Sequence, residues 1–205
     1  MERIFVYGTR ETDALRAADP VLGAAIDRIG PLHRTVIDDL FAALVNSIAG
    51  QQISGKALAT VWARLTAQMR PMTPAAVIAL PEGALHACGL SGRKEEYIRA
   101  AAQAVLSGAL DLDALQCLPD EDVIARLTTL SGVGRWTAEM LLIFSMQRPD
   151  VLAFDDFGIR RGLCLLYGLP EITKTAFAQY RARYAPYATV AGLYLWEIAA
   201  RGNKG

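Results

Sequence analysis

Apolar positions recur every three to four residues along most of this chain and nowhere alternate clearly with polar ones. Val36, Leu40, Ala43, Leu44 and Ile48 form one stripe over 36–49, and a stripe of that period is the buried face of an amphipathic helix. Asp19-Pro20 sets a capping side chain before a proline at the first helical position, ahead of Val21, Leu22, Ala25 and Ile29. Thr73-Pro74 repeats the device before Val77 and Leu80, and Ser54 stands where it can cap a helix through Val61, Trp62 and Leu65. Further helices are predicted at about 94–106, 120–129, 135–147, 157–167, 173–184 and 187–200, with a short extended piece only at Ile4 to Tyr7. The pattern predicts an all-α fold.

Composition narrows this picture. A chain of 205 residues, 53% hydrophobic and 20% charged, buries a substantial core and is not disordered. No apolar run reaches membrane-spanning length, and MERIFVYGTRETD carries charge from its second residue, unlike a signal peptide. The expected setting is intracellular: the cytoplasm, on the nucleoid of a bacterium, or the nucleus of a eukaryote. Cys88, Cys117 and Cys164 are too scattered for a disulfide framework or a zinc site and read as small buried hydrophobes.

The densest chemical signal lies at 119–161. A helical stretch runs into Leu130-Ser131-Gly132-Val133-Gly134, a second helix begins near Arg135, and the pair Asp155-Asp156 opens a third. Two glycines two residues apart leave the hairpin backbone nearly bare, so its N–H groups can come close to a phosphate. The following helix points its positive end at the same place. Such a device grips a nucleic-acid backbone without reading bases, and Gly132, Gly134 and Thr137 are its candidate contacts. A tight helix–helix turn with no partner is the plain alternative. Net charge is zero, with 21 acidic and 21 basic side chains, so binding must rest on a local basic face. Arg135, Arg148, Arg160 and Arg161 supply one around the hairpin and the Asp pair. The Asp pair caps a helix on one reading and faces a cleft on the other, and one residue of each kind satisfies both.

No flexible linker divides the chain. A hinge is expected near Arg148-Pro149-Asp150, with a central helical domain over 36–147, its helix-hairpin-helix at about 119–147, and a second lobe from 1–35 plus 148–205. The active-site cleft would lie between the two lobes.

LSGVGRWTAEML and FDDFGIRR together resemble the hairpin and the catalytic-aspartate segment of the helix-hairpin-helix DNA glycosylases. Residues 46–54, NSIAGQQIS, are similar to that family's minor-groove loop, and GRWTA with a paired aspartate points to its 3-methyladenine DNA glycosylase II branch. The resemblance implies an enzyme that flips alkylated bases out of damaged double-stranded DNA and hydrolyses their glycosidic bond, leaving an abasic site in base excision repair. It places the catalytic carboxylate on Asp156, beneath a sugar that becomes oxocarbenium-like.

Further roles follow from the same resemblance. A lysine nucleophile stands at position 136 in the strand-nicking branch, whereas this chain has Trp136, so a monofunctional enzyme is expected. The face of Trp136 suits a cationic methylated purine. Tyr187 matches another pocket aromatic, and Met140 stands where relatives have tyrosine. Gln52 matches the wedge that fills the gap left by the flipped nucleotide, with Gln51 and Ser54 beside it and Arg135 in the hairpin's DNA contact. Main-chain carbonyls of Thr128, Leu130 and Val133 match a monovalent cation site at the hairpin. The C-terminus, WEIAARGNKG, has no cysteine for an iron–sulfur loop. No other cofactor is implied, and a monomer is expected. Two rivals stand beside this reading: the same fold acting on deaminated or mismatched bases, and a non-catalytic hairpin module that only holds DNA.

Overall fold

The computed structural model describes residues 3–202. In chain order its helices are α1 (Thr9–Ala18), α2 (Pro20–Ile29), α3 (Leu40–Gly50), α4 (Gly55–Gln68), α5 (Pro74–Ala79), α6 (Ala84–Ala87), α7 (Gly92–Leu106), α8 (Leu112–Leu115), α9 (Asp120–Leu127), α10 (Arg135–Phe144), α11 (Phe157–Tyr167), α12 (Lys174–Tyr184) and α13 (Ala188–Arg201). Among the described residues the only β pairing is a single antiparallel bridge, Ile4 with Thr35. The chain divides into a central unit, Ile37–Met146, and a terminal unit comprising everything up to Val36 and from Gln147 onward.

In the central unit α3 is the hub. Its residues Leu44, Val45, Ile48 and Ala49 are fully buried, and α4, α7 and α10 pack around it. A helix that is apolar on most of its faces, with only Asn46 and Ser47 polar, belongs in the middle of a core. The expected helix start at 36 is corrected to Leu40. Ile37 N–H is committed to the Phe144 carbonyl at 2.9 Å, and the Asp39 carboxylate caps at Ala42 N, 2.8 Å. An extended backbone at 36–39 satisfies both.

In the terminal unit α11 lies against α13 so closely that a β-carbon on Gly162 would stand 2.3 Å from the Leu195 carbonyl oxygen. Asp19, 2% exposed, joins α2, α11 and α12. Its carboxylate accepts from Val21 N and Leu22 N at the start of α2, from Tyr167 Oη on α11 and from Arg183 on α12.

Other expectations need correction. Helix α1 was not anticipated, because eight of its ten positions are exposed or half-buried and leave only Thr12 and Leu15 as a core-facing mark. Helix α10 stops at Phe144, short of 147, where Ser145 and Met146 both donate to the Leu141 carbonyl. Cys88 is buried, but Cys117 is exposed and Cys164 half-buried. The segment expected to hinge, 148–150, begins just past the boundary between the two units at Met146 and Gln147, and it is pinned within the terminal unit. Arg181 forms a double hydrogen bond to the Asp150 carboxylate, and fully buried Thr189 accepts from Val151 N and donates to the Arg148 carbonyl.

Candidate active site

The loop that follows this pinned segment ends at Asp155 and Asp156, and the two differ sharply. Asp155 is exposed, whereas Asp156 is 8% exposed and is the N-cap of α11. Asp156 Oδ1 accepts from Ile159 N at 2.8 Å, closing the first helical turn, and from Trp196 Nε1 on α13 at 2.8 Å. Capping and burial therefore meet on one residue, with the carboxylate fixed from two elements. Trp196 is half-buried and spends its one N–H on this carboxylate. Gly158 makes room for it: a β-carbon there would lie 2.7 Å from Trp196 Cδ1 and 3.2 Å from Asp156 Oδ1. Nothing in the local sequence marks the pairing of positions forty residues apart. Phe157, also unforeseen, is the first residue of α11 and is 68% exposed beside Asp156. An aromatic left this open next to a fixed carboxylate offers a stacking surface.

The hairpin lies in the central unit between α9 and α10. Gly132 has φ +81°, and its missing side chain is replaced by the Tyr97 ring, since a β-carbon would stand 2.1 Å from Tyr97 Cδ2. Gly134 is the extended N-cap of α10 and has nothing within 4 Å of a hypothetical β-carbon. The start of α10 leaves N–H groups without intrahelical acceptors, Thr137 among them, as any helix start does. Thr137 itself is buried. The Leu130 carbonyl accepts from Val133 N at 3.1 Å. A carbonyl has a second lone pair, so Thr128, Leu130 and Val133 offer three neutral oxygens from one turn, a donor set that suits a hard cation.

The loop after α3 is tied to this hairpin. Gln51 turns its side chain inward: Nε2 donates to the Gly132 carbonyl at 2.8 Å and lies 3.5 Å from Thr137 Oγ1. Gln52 is exposed with φ +57°, a left-handed conformation uncommon outside glycine, asparagine and aspartate. Ser54 caps α4 at Ala57 N. Arg135 is not a solitary basic contact. It forms ion pairs with Glu121 and Glu139, and the guanidinium holds the Glu121 carboxyl below its usual range. On α10, Trp136 is 40% exposed and Met140 half-buried, while Tyr187, the N-cap of α13, is half-buried.

Residues 45–186 match the HhH-GPD superfamily of base excision DNA repair proteins. The chain is similar to DNA-3-methyladenine glycosylase 1 of Schizosaccharomyces pombe, 36% identical over 161 residues that make up 76% of this chain and 71% of that one. Its fold resembles a crystal structure of DNA-3-methyladenine glycosidase from Bacillus halodurans, with a TM-score of 0.85 and 36% identity over 98% of this chain and 94% of the other. It also resembles the Schizosaccharomyces pombe 3-methyladenine DNA glycosylase in complex with abasic DNA, with a TM-score of 0.82 and 31% identity over 92% and 95% of the two chains. The protein belongs to the HhH-GPD superfamily of base excision DNA repair proteins.

Proposed function

We propose that this protein is a monofunctional DNA-3-methyladenine glycosylase of type II, acting as a monomer on alkylated double-stranded DNA. The observation that carries the reading is the buried carboxylate of Asp156, held by Ile159 N and Trp196 Nε1. As the C1′–N bond breaks, its electron pair leaves with the base, and positive charge grows on the deoxyribose. A carboxylate that is already oriented stabilises that charge without reorganising. Water adds at C1′ and loses its proton, giving the abasic sugar. An N3- or N7-alkylated purine is cationic before cleavage and departs neutral, so no strong general acid is required.

Trp136, Tyr187 and Met140 are assigned to the base, joined by Phe157. Aromatic faces favour an electron-poor cationic ring. Gln52 is assigned to the gap left by the flipped nucleotide, and the Gly132–Gly134 backbone with Thr137 N to a phosphate. A monovalent cation on the Thr128, Leu130 and Val133 carbonyls would add positive charge there.

Two features support the absence of strand cleavage. Position 136 carries tryptophan rather than an amine, and Lys94 Nζ is occupied, donating to the Ala49 carbonyl at 2.8 Å and the Gln51 carbonyl at 2.6 Å. A Schiff base needs a free amine.

The test is release of free 3-methyladenine from methylated duplex DNA by the wild type and Asp156→Asn, with products run before and after alkali. Release that falls about 10²–10³-fold in the variant, with breaks appearing only after alkali, is the expected result. Normal release by Asp156→Asn refutes the assignment of the carboxylate, and breaks without alkali refute the monofunctional reading. No release from methylated DNA, alongside release from deaminated DNA, would move the substrate to that class.

A further inference from the structure

Helix α7 presents two side chains one turn apart, Lys94 and Tyr97, and each supports a different part of the DNA-facing surface. Lys94 binds the carbonyls of Ala49 and Gln51, where α3 ends and the Gln52 loop begins. Helix C-termini leave carbonyls without partners, and a lysine ammonium is well suited to them. Burial lowers the Lys94 pKa, as expected of an amine taken out of water against a backbone. Tyr97 fills the space beneath Gly132 in the hairpin. Between the two, Gln51 spans from the loop to the Gly132 carbonyl.

The loop and the hairpin are therefore joined twice: through α7 beneath them and directly through the Gln51 amide. We propose that Lys94, Gln51 and Tyr97 are positioning residues that couple the Gln52 loop to the glycine hairpin, so that the gap-filling side chain and the phosphate grip meet DNA as one rigid surface. The proposal rests on the assignment of Gln52 to the gap and of the hairpin to a phosphate.

The physical consequence is selective. A wedge fixed relative to a phosphate grip gains its contacts only where a nucleotide has left the stack at one distance along the strand. A loose wedge would bind intact and gapped duplex more nearly alike. Preorganisation of this kind raises affinity for the matching ligand by removing an ordering cost.

The experiment is a double-mutant cycle read as binding, not as catalysis. Fluorescence anisotropy would give affinities for a duplex with a central stable abasic analogue and for the same duplex undamaged. Proteins would be the wild type, Gln52→Ala, Gln51→Ala, Lys94→Met and the two doubles that contain Gln52→Ala. In the wild-type background Gln52→Ala is expected to weaken abasic-duplex binding about tenfold. In the Gln51→Ala or Lys94→Met background the same change is expected to cost about twofold or less, because the wedge has already lost its fixed place.

Undamaged-duplex affinity should move by about twofold or less in every variant, and Lys94→Arg should restore the coupling that Lys94→Met removes. Losses that multiply independently would overturn the proposal, while leaving the glycosylase reading intact. A Gln52→Ala variant that binds the abasic duplex like wild type would overturn the wedge assignment, and this proposal with it. Should Lys94→Met fail to fold, judged by circular dichroism, the Gln51→Ala cycle decides the question alone.

Discussion

The indole N–H of Trp196 on α13 donates to the same oxygen of Asp156 that caps α11, at 2.8 Å in each bond. One carboxylate oxygen therefore carries two restraints, one from its own helix and one from a neighbouring helix. Trp196→Phe deletes the second while keeping an aromatic ring. Hydrogen bonds to charged groups are worth about 1.5–3 kcal/mol. Under single-turnover conditions, the rate of base release is expected to drop about ten- to hundredfold if the orientation of the carboxylate is what the bond secures. KM for methylated DNA should change about twofold or less. A fall in DNA affinity with an unchanged rate would show that Trp196 serves binding instead.

Much of this fold is written in the helical period and in the caps. Asp19, Ser54, Thr73 and Asp156 cap the helices they precede, because capping is a local event between a side chain and the next three N–H groups. Helix α1 escaped because its polar sequence buries only Thr12 and Leu15. The candidate site was legible where chemistry is concentrated in one segment, as in the hairpin and the Asp pair. What was not legible joins distant positions. Trp196 with Asp156, Lys94 with the end of α3, and Gln51 with Gly132 are separated by forty or more residues and leave no periodic trace. Gln51, expected from sequence at the DNA contact, has its side-chain amide on the Gly132 carbonyl.

Arg135 illustrates the same point for charge. From sequence it belongs to the basic face, yet Glu121 and Glu139 both pair with it. Both Arg135 and Glu121 are largely exposed, so their pair contributes only within about 1 kcal/mol. Arg135→Gln is expected to leave the slope of log K against log salt unchanged for duplex binding. A slope reduced by about one unit would mean that the guanidinium leaves its carboxylates for a phosphate.

Stability in acid should carry the signature of Asp19. Burial pushes its carboxyl up, but hydrogen bonds from Arg183, Leu22 N and Tyr167 together outweigh this and leave its pKa lowered. A carboxyl lowered on folding stabilises the native state above its unfolded value, near 4, and that contribution is lost as pH falls through the folded value. Urea midpoints should therefore decline below about pH 4. Glu95 and Glu197 are lowered too, so the decline is shared. Asp19→Asn keeps the cap on α2 and removes one titrating group. It should be less stable than wild type at pH 7 and show a shallower acid decline, by up to about 1.4 kcal/mol per pH unit. Parallel curves for the two proteins would exclude Asp19 as a source of the acid lability.

Three glycines separate packing from DNA contact. Gly162→Ala sets a β-carbon 2.3 Å from the Leu195 carbonyl oxygen, which only a separation of α11 and α13 relieves. It should cost about 1–3 kcal/mol and disturb the Trp196 bond to Asp156, the one that crosses between the two helices. Gly132→Ala meets the Tyr97 ring at 2.1 Å and must hold φ at +81°, so shortening Tyr97 to alanine relieves the clash but not the roughly 1–2 kcal/mol of backbone strain. Gly134 is the clean probe. With φ −92°, ψ 173° and nothing within 4 Å of a β-carbon, alanine fits the free protein at a cost of a few tenths of a kcal/mol or about 1 at most for the N-cap position. Gly134→Ala is expected to leave the thermal midpoint within a few degrees of wild type and still weaken binding to undamaged duplex, since the new methyl stands on the hairpin backbone proposed to receive a phosphate. Unchanged binding by a stably folded Gly134→Ala protein would remove the hairpin backbone from the DNA interface.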